Sequence, residues 1–131
     1  MYVMHSAVTD VRPLLTLTLP RDRSAAAVAR RALAELELPC TEETRLAVAL
    51  LATELINNAV MHGCGRDIQL DVAHDRERLR VEVCDDGNGF DPSQRTERED
   101  PGGWGLAIVE NLSSDWGMYE GSTHVWFELV L

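Results

Sequence analysis

The sequence has no lysine, few cysteines and no long apolar run. All twelve basic residues are arginine, and 22 acidic residues outnumber them to give a formal net charge of −10. This charge argues against DNA or RNA as the main partner, because nucleic-acid-binding proteins need a basic surface to displace counterions. No segment approaches the roughly 20 continuous apolar residues of a transmembrane helix.

Three cysteines, Cys40, Cys64 and Cys84, lie far apart without a CxxC pair. An odd number of separated cysteines is typical of reduced thiols that pack as small apolar side chains. Residues 1–11 lack the basic region and apolar core of a signal peptide. We therefore expect a cytoplasmic protein.

The length of 131 residues predicts one domain. We expect an N-terminal tail over residues 1–13 and a single domain over residues 14–131. No internal repeat, low-complexity stretch or linker divides the chain.

Hydrophobic periodicity predicts both strands and helices, in a mixed order along the chain. Leucines that alternate with threonines indicate a first strand, apolar residues every three or four positions indicate two helices, and two further alternating runs indicate a hairpin. The predicted elements are a strand over 15–19, helices over 22–38 and 41–62, a hairpin over 68–72 and 79–83, a third helix over 103–113, and final strands near 119 and over 125–131. Strands with one polar face predict a mostly antiparallel sheet, open to water on one face and covered by helices on the other. The expected fold class is a two-layer α+β sandwich.

The second predicted helix is apolar nearly all round, so its few polar residues need an explanation. Glu54, Asn58 and His62 are spaced by four and therefore lie along one side of the helix. They either line a pocket or face solvent, as charged residues usually do.

Asp85 follows directly on the predicted strand over 79–83 and precedes Gly87 and Gly89. A carboxylate at this point can accept a hydrogen bond from an amino group, such as the exocyclic amine of adenine. An ordinary Asp-Gly turn is the alternative.

Gly102 and Gly103 open the third predicted helix, where free backbone N–H groups and the helix dipole attract anions. Glycines before a helix are also common loop residues. Neither a GxxxxGK[ST] nor a GxGxxG pattern occurs, so neither a P-loop nor a dinucleotide-binding fold is supported.

Taken in order, the segment Glu54 to Gly63, the Asp85-x-Gly87-x-Gly89 segment and the Gly103-x-Gly105-Leu106 segment resemble the GHKL ATPase superfamily of gyrases, heat-shock chaperones and histidine kinases. Within it, the chain resembles the bacterial anti-sigma-factor serine kinases over roughly residues 14–131. The resemblance implies ATP and Mg²⁺ as cofactors.

The resemblance also implies roles for individual residues. Asn58 would be the Mg²⁺ ligand that links the metal to the phosphates, Glu54 the general base, and Asp85 the reader of the adenine amine. The remaining nucleotide-binding residues would shape the pocket and place N–H groups on the phosphates: Gly87, Gly89, Gly103, Trp104, Gly105, Leu106 and Thr123. Asn88 and His124 depart from the family pattern, which often has Pro at the first position and Thr or another small residue at the second.

The implied function is phosphorylation of a small anti-sigma-factor antagonist. This would regulate transcription by partner switching, in which the freed kinase sequesters a sigma factor. A homodimer is the family's usual state, with the first strand and first helix as the expected interface. The alternative is a non-catalytic module that senses nucleotide and sequesters a regulatory partner.

Three further residues have open roles. Arg95 and Arg98 could add positive charge to the nucleotide lid, or they could pair with acidic neighbours in solvent, which is the more common situation. His62 could hold the helix end. A transition-metal site on Glu54 and His62 has little support, because no HExxH pattern occurs.

Overall fold

The computed structural model describes residues 12–63, 65–85, 112–119 and 124–131. In this part of the chain, strands and helices form in the mixed order that the periodicity predicts. They are β1 (Arg12–Pro20), α1 (Ala25–Ala34), α2 (Glu42–His62), β2 (Asp67–His74), β3 (Arg78–Asp85), β4 (Asp115–Tyr119) and β5 (His124–Val130).

The described strands form one sheet in the order β1-β2-β3-β5-β4, and every neighbouring pair is antiparallel. The predicted hairpin is β2 and β3, with Val72 opposite Val81. In its turn, the Asp75 carboxylate accepts hydrogen bonds from the backbone N–H groups of Glu77 and Arg78, both at 2.8 Å. The mostly antiparallel sheet is confirmed.

Both helices cover the same face of this sheet. α1 contacts β1, whereas α2 contacts β2, β3 and β5. Alternate strand residues point towards the helices and are buried with them, as the period of two requires. The sheet side of this core consists of Leu19, Ile68, Leu70, Val72, Leu79, Val81, Val83, Val125, Phe127 and Leu129. The two-layer α+β sandwich is confirmed.

The first helix is shorter than the predicted span of 22–38. Before the helix, the Asp22 carboxylate accepts hydrogen bonds from the backbone N–H and hydroxyl of Ser24, at 2.8 and 2.6 Å, and these bonds lower the pKa of Asp22. After the helix, Arg45 donates a hydrogen bond of 3.0 Å to the carbonyl of Leu36. A turn at Asp22 therefore precedes the helix. Beyond Ala34, the backbone N–H groups of Glu35 and Leu36 bond three residues back, at 3.2 and 3.1 Å, so the α-helical pattern ends there.

The second helix has the predicted bounds. The Thr41 hydroxyl accepts a hydrogen bond of 3.1 Å from the backbone N–H of Thr44, so Thr41 is the N-cap. Residues 103–111 of the predicted third helix lie outside the described residues. Among the helices that the structure describes, none combines the length and the apolar character that crossing a bilayer requires.

The sheet face opposite the helices is less open to water than the sequence predicted. Glu128 has 0% exposure there, and its two carboxylate oxygens lie 3.4 Å from Arg78 and 3.2 Å from Arg80. Arg80 also pairs with Glu82 at 3.1 Å and lies 4.3 Å from the ring centre of Trp126. Packed arginine side chains and an indole thus replace solvent over the middle of this face.

The ion pairs of Glu128 predict that removing the Arg80 side chain strongly destabilises the fold. We expect Arg80→Ala to lower the free energy of unfolding by about 3 kcal/mol, because it leaves a buried carboxylate with incomplete pairing. Urea unfolding would measure the loss. Arg76→Ala, an exposed change in the β2–β3 turn, is the matched control and should stay within about 0.5 kcal/mol of wild type. A loss below about 1 kcal/mol for Arg80→Ala would contradict the account.

Candidate functional site

The polar residues of α2 occupy one side of its C-terminal half. Asn58 is buried, at 5% exposure, while Glu54 and His62 are half-buried. The helix is held at this depth by its apolar residues, of which Leu51, Leu55 and Ile56 are fully covered. The sequence therefore places an amide, not only apolar groups, inside the domain.

The buried amide of Asn58 is an unusual feature. Its Nδ2 atom is inaccessible to solvent and has no hydrogen-bond partner among the residues that the structure describes. Leaving such a group unsatisfied costs about 1–3 kcal/mol, and buried polar groups are normally paired. A buried amide of this kind is a candidate position for contact with a polar ligand.

The C-terminal end of α2 meets the end of β3 at very short range. A Cβ atom added to Gly63 would lie 2.8 Å from Oδ2 of Asp85 and 3.0 Å from its Cγ. Asp85 is half-buried and lies opposite Ile68 in the sheet ladder. The structure thus brings together the α2 polar side and Asp85, which are more than 20 residues apart in the sequence.

Arg21 holds this junction in place and was not singled out by the sequence. Its Nη1 atom donates a hydrogen bond of 2.8 Å to the carbonyl of Val60, and its Nε atom donates one of 2.8 Å to the carbonyl of Gly65. These bonds satisfy carbonyls at and after the helix end. No local pattern identifies Arg21, because its acceptors are about 40 residues away.

The end of β3 is an electronegative environment. The pKa of the Cys84 thiol is raised to about 11 by burial and by the nearby carboxylates of Glu82, Asp71 and Asp85. Both described cysteines are free, consistent with the prediction of reduced thiols. Of these carboxylates, Asp85 is on the helix side of the sheet, next to Gly63, where it can accept a hydrogen bond from a ligand.

The geometry lets one ligand contact both ends of the site. Gly63 follows Asn58 by five positions, which corresponds to about 7.5 Å along the helix axis. The Asn58 amide can therefore contact a different part of a ligand from the part that Asp85 contacts. An extended ligand with a donor-rich end and a second polar end fits this arrangement.

The residues present also fit Mg²⁺. The ion takes oxygen ligands, keeps several waters and is often completed by substrate phosphates, and the amide of Asn58 offers one such oxygen. Among the described residues, no group of three or more His, Cys, Asp or Glu side chains could hold a metal without such help. Asn58 would hold the ion together with phosphate oxygens.

Several predicted site residues lie outside the described residues. These are Gly87, Gly89, Gly103, Trp104, Gly105, Leu106 and Thr123, together with Asn88, Arg95 and Arg98. Their roles stay predictions. The structure places Gly63 next to Asp85 at the C-terminal end of α2, more than a helical turn beyond the buried Asn58.

Comparison with known families supports this interpretation of the site. The model of the histidine kinase-like ATPase domain family matches residues 19–129, which is most of the chain. The chain belongs to this family. No curated protein matches it at a significant level. The match spans α2 and β3, so the histidine kinase-like ATPase domain of this chain includes the candidate site, and membership of the GHKL superfamily indicates that it binds ATP.

We expect Asp85→Asn in this ATPase domain to weaken ATP binding by about 10- to 100-fold. The change replaces a charged acceptor with an amide, and a hydrogen bond to a charged group contributes about 1.5–3 kcal/mol. Calorimetric titration would measure the affinity. Asp67→Asn is the control, since it removes the same charge from an exposed position at the same end of the neighbouring strand β2. Equal affinities of Asp85→Asn and wild type would contradict the assignment.

We expect Asn58→Ala to remove the Mg²⁺ dependence of ATP binding. Wild type should bind ATP more tightly with Mg²⁺ than with a chelator, whereas the variant should show similar affinities in both conditions. Asn57→Ala is the matched control, because Asn57 is the adjacent asparagine and is exposed. Circular dichroism would verify the fold of each variant. An Asn58→Ala protein that keeps the full Mg²⁺ effect would show that another group holds the ion.

Proposed function

We propose that this ATPase domain is a Mg-ATP-dependent serine/threonine protein kinase of the anti-sigma-factor type. The observation that carries the proposal is the position of Glu54, one helical turn before Asn58 and half-buried on the same side of α2. Its carboxylate makes no hydrogen bond or ion pair with the described residues. A carboxylate without a structural partner, next to the proposed phosphate-binding residue, is suited to accept a proton.

In the proposed reaction, Glu54 accepts the proton of a serine or threonine hydroxyl of the protein substrate. The oxygen of that hydroxyl bonds to the γ-phosphorus of ATP. The bond from that phosphorus to the bridging oxygen breaks, and ADP leaves with the electron pair. Asp85 accepts a hydrogen bond from the adenine amine and so orients the nucleotide. Asn58 would hold Mg²⁺, which would supply positive charge to neutralise the phosphates. Positioning and charge neutralisation are the main demands of phosphoryl transfer.

The proposed protein substrate is a small anti-sigma-factor antagonist. In this scheme the unmodified antagonist captures the kinase, phosphorylation releases it, and the free kinase sequesters a sigma factor in the cytoplasm. The net charge of −10 supports protein partners over direct contact with nucleic acid. A homodimer through β1 and α1 completes the proposal, and its support is that β1 lies at one end of the described strand order.

The test of this proposal is transfer of label from ATP to a captured partner. Purified protein would capture partners from lysate of the native host, labelled Mg-ATP would be added, and label on each captured protein would be compared with the Asp85→Asn variant. Label on a small protein that disappears with Asp85→Asn supports the kinase. Specific capture without label would instead support the non-catalytic module that senses nucleotide and sequesters its partner.

We expect Glu54→Gln to keep ATP affinity within about twofold and to lower phosphotransfer by at least about 100-fold, the usual contribution of a general base. The amide has the same shape but cannot accept the proton. Single-turnover label transfer would measure the rate. Glu43→Gln, in the exposed first turn of α2, is the control. A Glu54→Gln protein with the wild-type rate would exclude the general-base role.

A further inference from the structure

The residue that ends α2 is glycine for a reason other than backbone conformation. Helices often end in a glycine with positive φ, but Gly63 has φ −85° and ψ −171°, which any residue can adopt. What excludes a side chain is space. A Cβ would lie 2.8 Å from Oδ2 of Asp85 and 2.6 Å from the carbonyl oxygen of Ala59.

We propose that Gly63 is a positioning residue that sets nucleotide specificity, because only a residue without a side chain lets the Asp85 carboxylate occupy the place where it meets the purine amine. The inference rests on the ATP site of the proposed function and concerns its selectivity. It assigns to Gly63 an effect on the base and not on the phosphates.

The backbones on both sides of the contact are held, so the carboxylate is the group that would move. On the helix side, the Gly63 N–H donates a hydrogen bond of 3.0 Å to Ala59, and Arg21 binds the carbonyl of Val60. On the sheet side, Asp85 is paired with Ile68 in the ladder. A methyl group at position 63 therefore strains the helix end against the Ala59 carbonyl, which is backbone, and rotates the Asp85 side chain, whose end can move, away from it.

A displaced carboxylate affects only ligands that offer it a donor. Asn58 lies more than a helical turn away from Gly63, so binding at the phosphate end does not depend on the Asp85 rotamer. Gly63→Ala should therefore weaken binding of a purine that has the 6-amino group and leave an analogue without that group nearly unchanged. A general disturbance of the helix end would weaken both equally.

The experiment compares ATP with purine riboside triphosphate, which has hydrogen in place of the 6-amino group. We expect wild type to prefer ATP by about tenfold or more, the contribution of one hydrogen bond to a charged acceptor. Gly63→Ala should lose most of this preference, with the affinity for the analogue within about twofold of wild type. Equal weakening of both nucleotides, or an unchanged preference, would overturn the proposal.

Gly117→Ala is the matched control. A Cβ at Gly117 would lie 2.9 Å from the Trp126 ring, so this change also crowds a buried contact, but on β4 and away from the site. It should lower the melting temperature and leave the preference for ATP intact. Loss of the preference in Gly117→Ala as well would show that general destabilisation explains the effect, against the proposal.

A second measurement covers the case in which Gly63→Ala folds poorly. Unfolding midpoints of Gly63→Ala, Asp85→Ala and the double variant form a cycle that needs no nucleotide. If the methyl group clashes with the Asp85 side chain, Gly63→Ala should lower stability less in the Asp85→Ala background than in wild type, and the double variant should fold where Gly63→Ala alone folds poorly. Additive effects would overturn the proposal. Absence of ATP binding by wild type would instead refute the proposed function, while this cycle would still report on the contact.

Discussion

The depth at which α2 lies against the sheet is the constraint on which the site depends. Apolar residues on one side of the helix, among them Leu51, Leu55 and Ile56, pack in the core, and this packing carries Asn58 into the interior. The same packing brings the helix end against the end of β3, where Gly63 leaves room for Asp85. A hydrophobic interaction thus fixes the relative positions of two polar groups, and those groups define the chemistry.

The cost of this arrangement shows where stability and function oppose each other. The Asn58 amide is buried, and its nitrogen has no hydrogen-bond partner among the described residues. The other buried polar side chain in this part of the chain, Glu128, is paired with Arg78 and Arg80. Structural burial of polar groups normally comes with pairing. The proposed ligand-binding position is therefore on the helix side of the sheet, and the paired carboxylate of Glu128 stabilises the opposite face.

Much of the fold and part of the site could be predicted from the sequence. Periodicity located the hairpin, α2 and the antiparallel sheet, because these depend on local alternation and on the Thr41 cap. It predicted α1 too long. A turn at Asp22 precedes this helix, and after it the carbonyl of Leu36 accepts a hydrogen bond from Arg45 of α2. Motif order singles out Asn58 and Asp85 as candidates, and their roles stay predictions. The contact of Asp85 with Gly63 and the bonds of Arg21 join distant segments, which no local pattern can reveal.

The central claim is that groups from α2 and β3 form one ATP site, and nuclear magnetic resonance tests it most directly. Titration of labelled wild-type protein with Mg-ATP should shift the Asn58 side-chain amide and the Gly63 and Asp85 backbone amides together, with one saturation curve. Gly117, in the outer strand β4, should not shift. Saturable shifts confined to other regions, or different saturation curves for α2 and β3, would contradict the account.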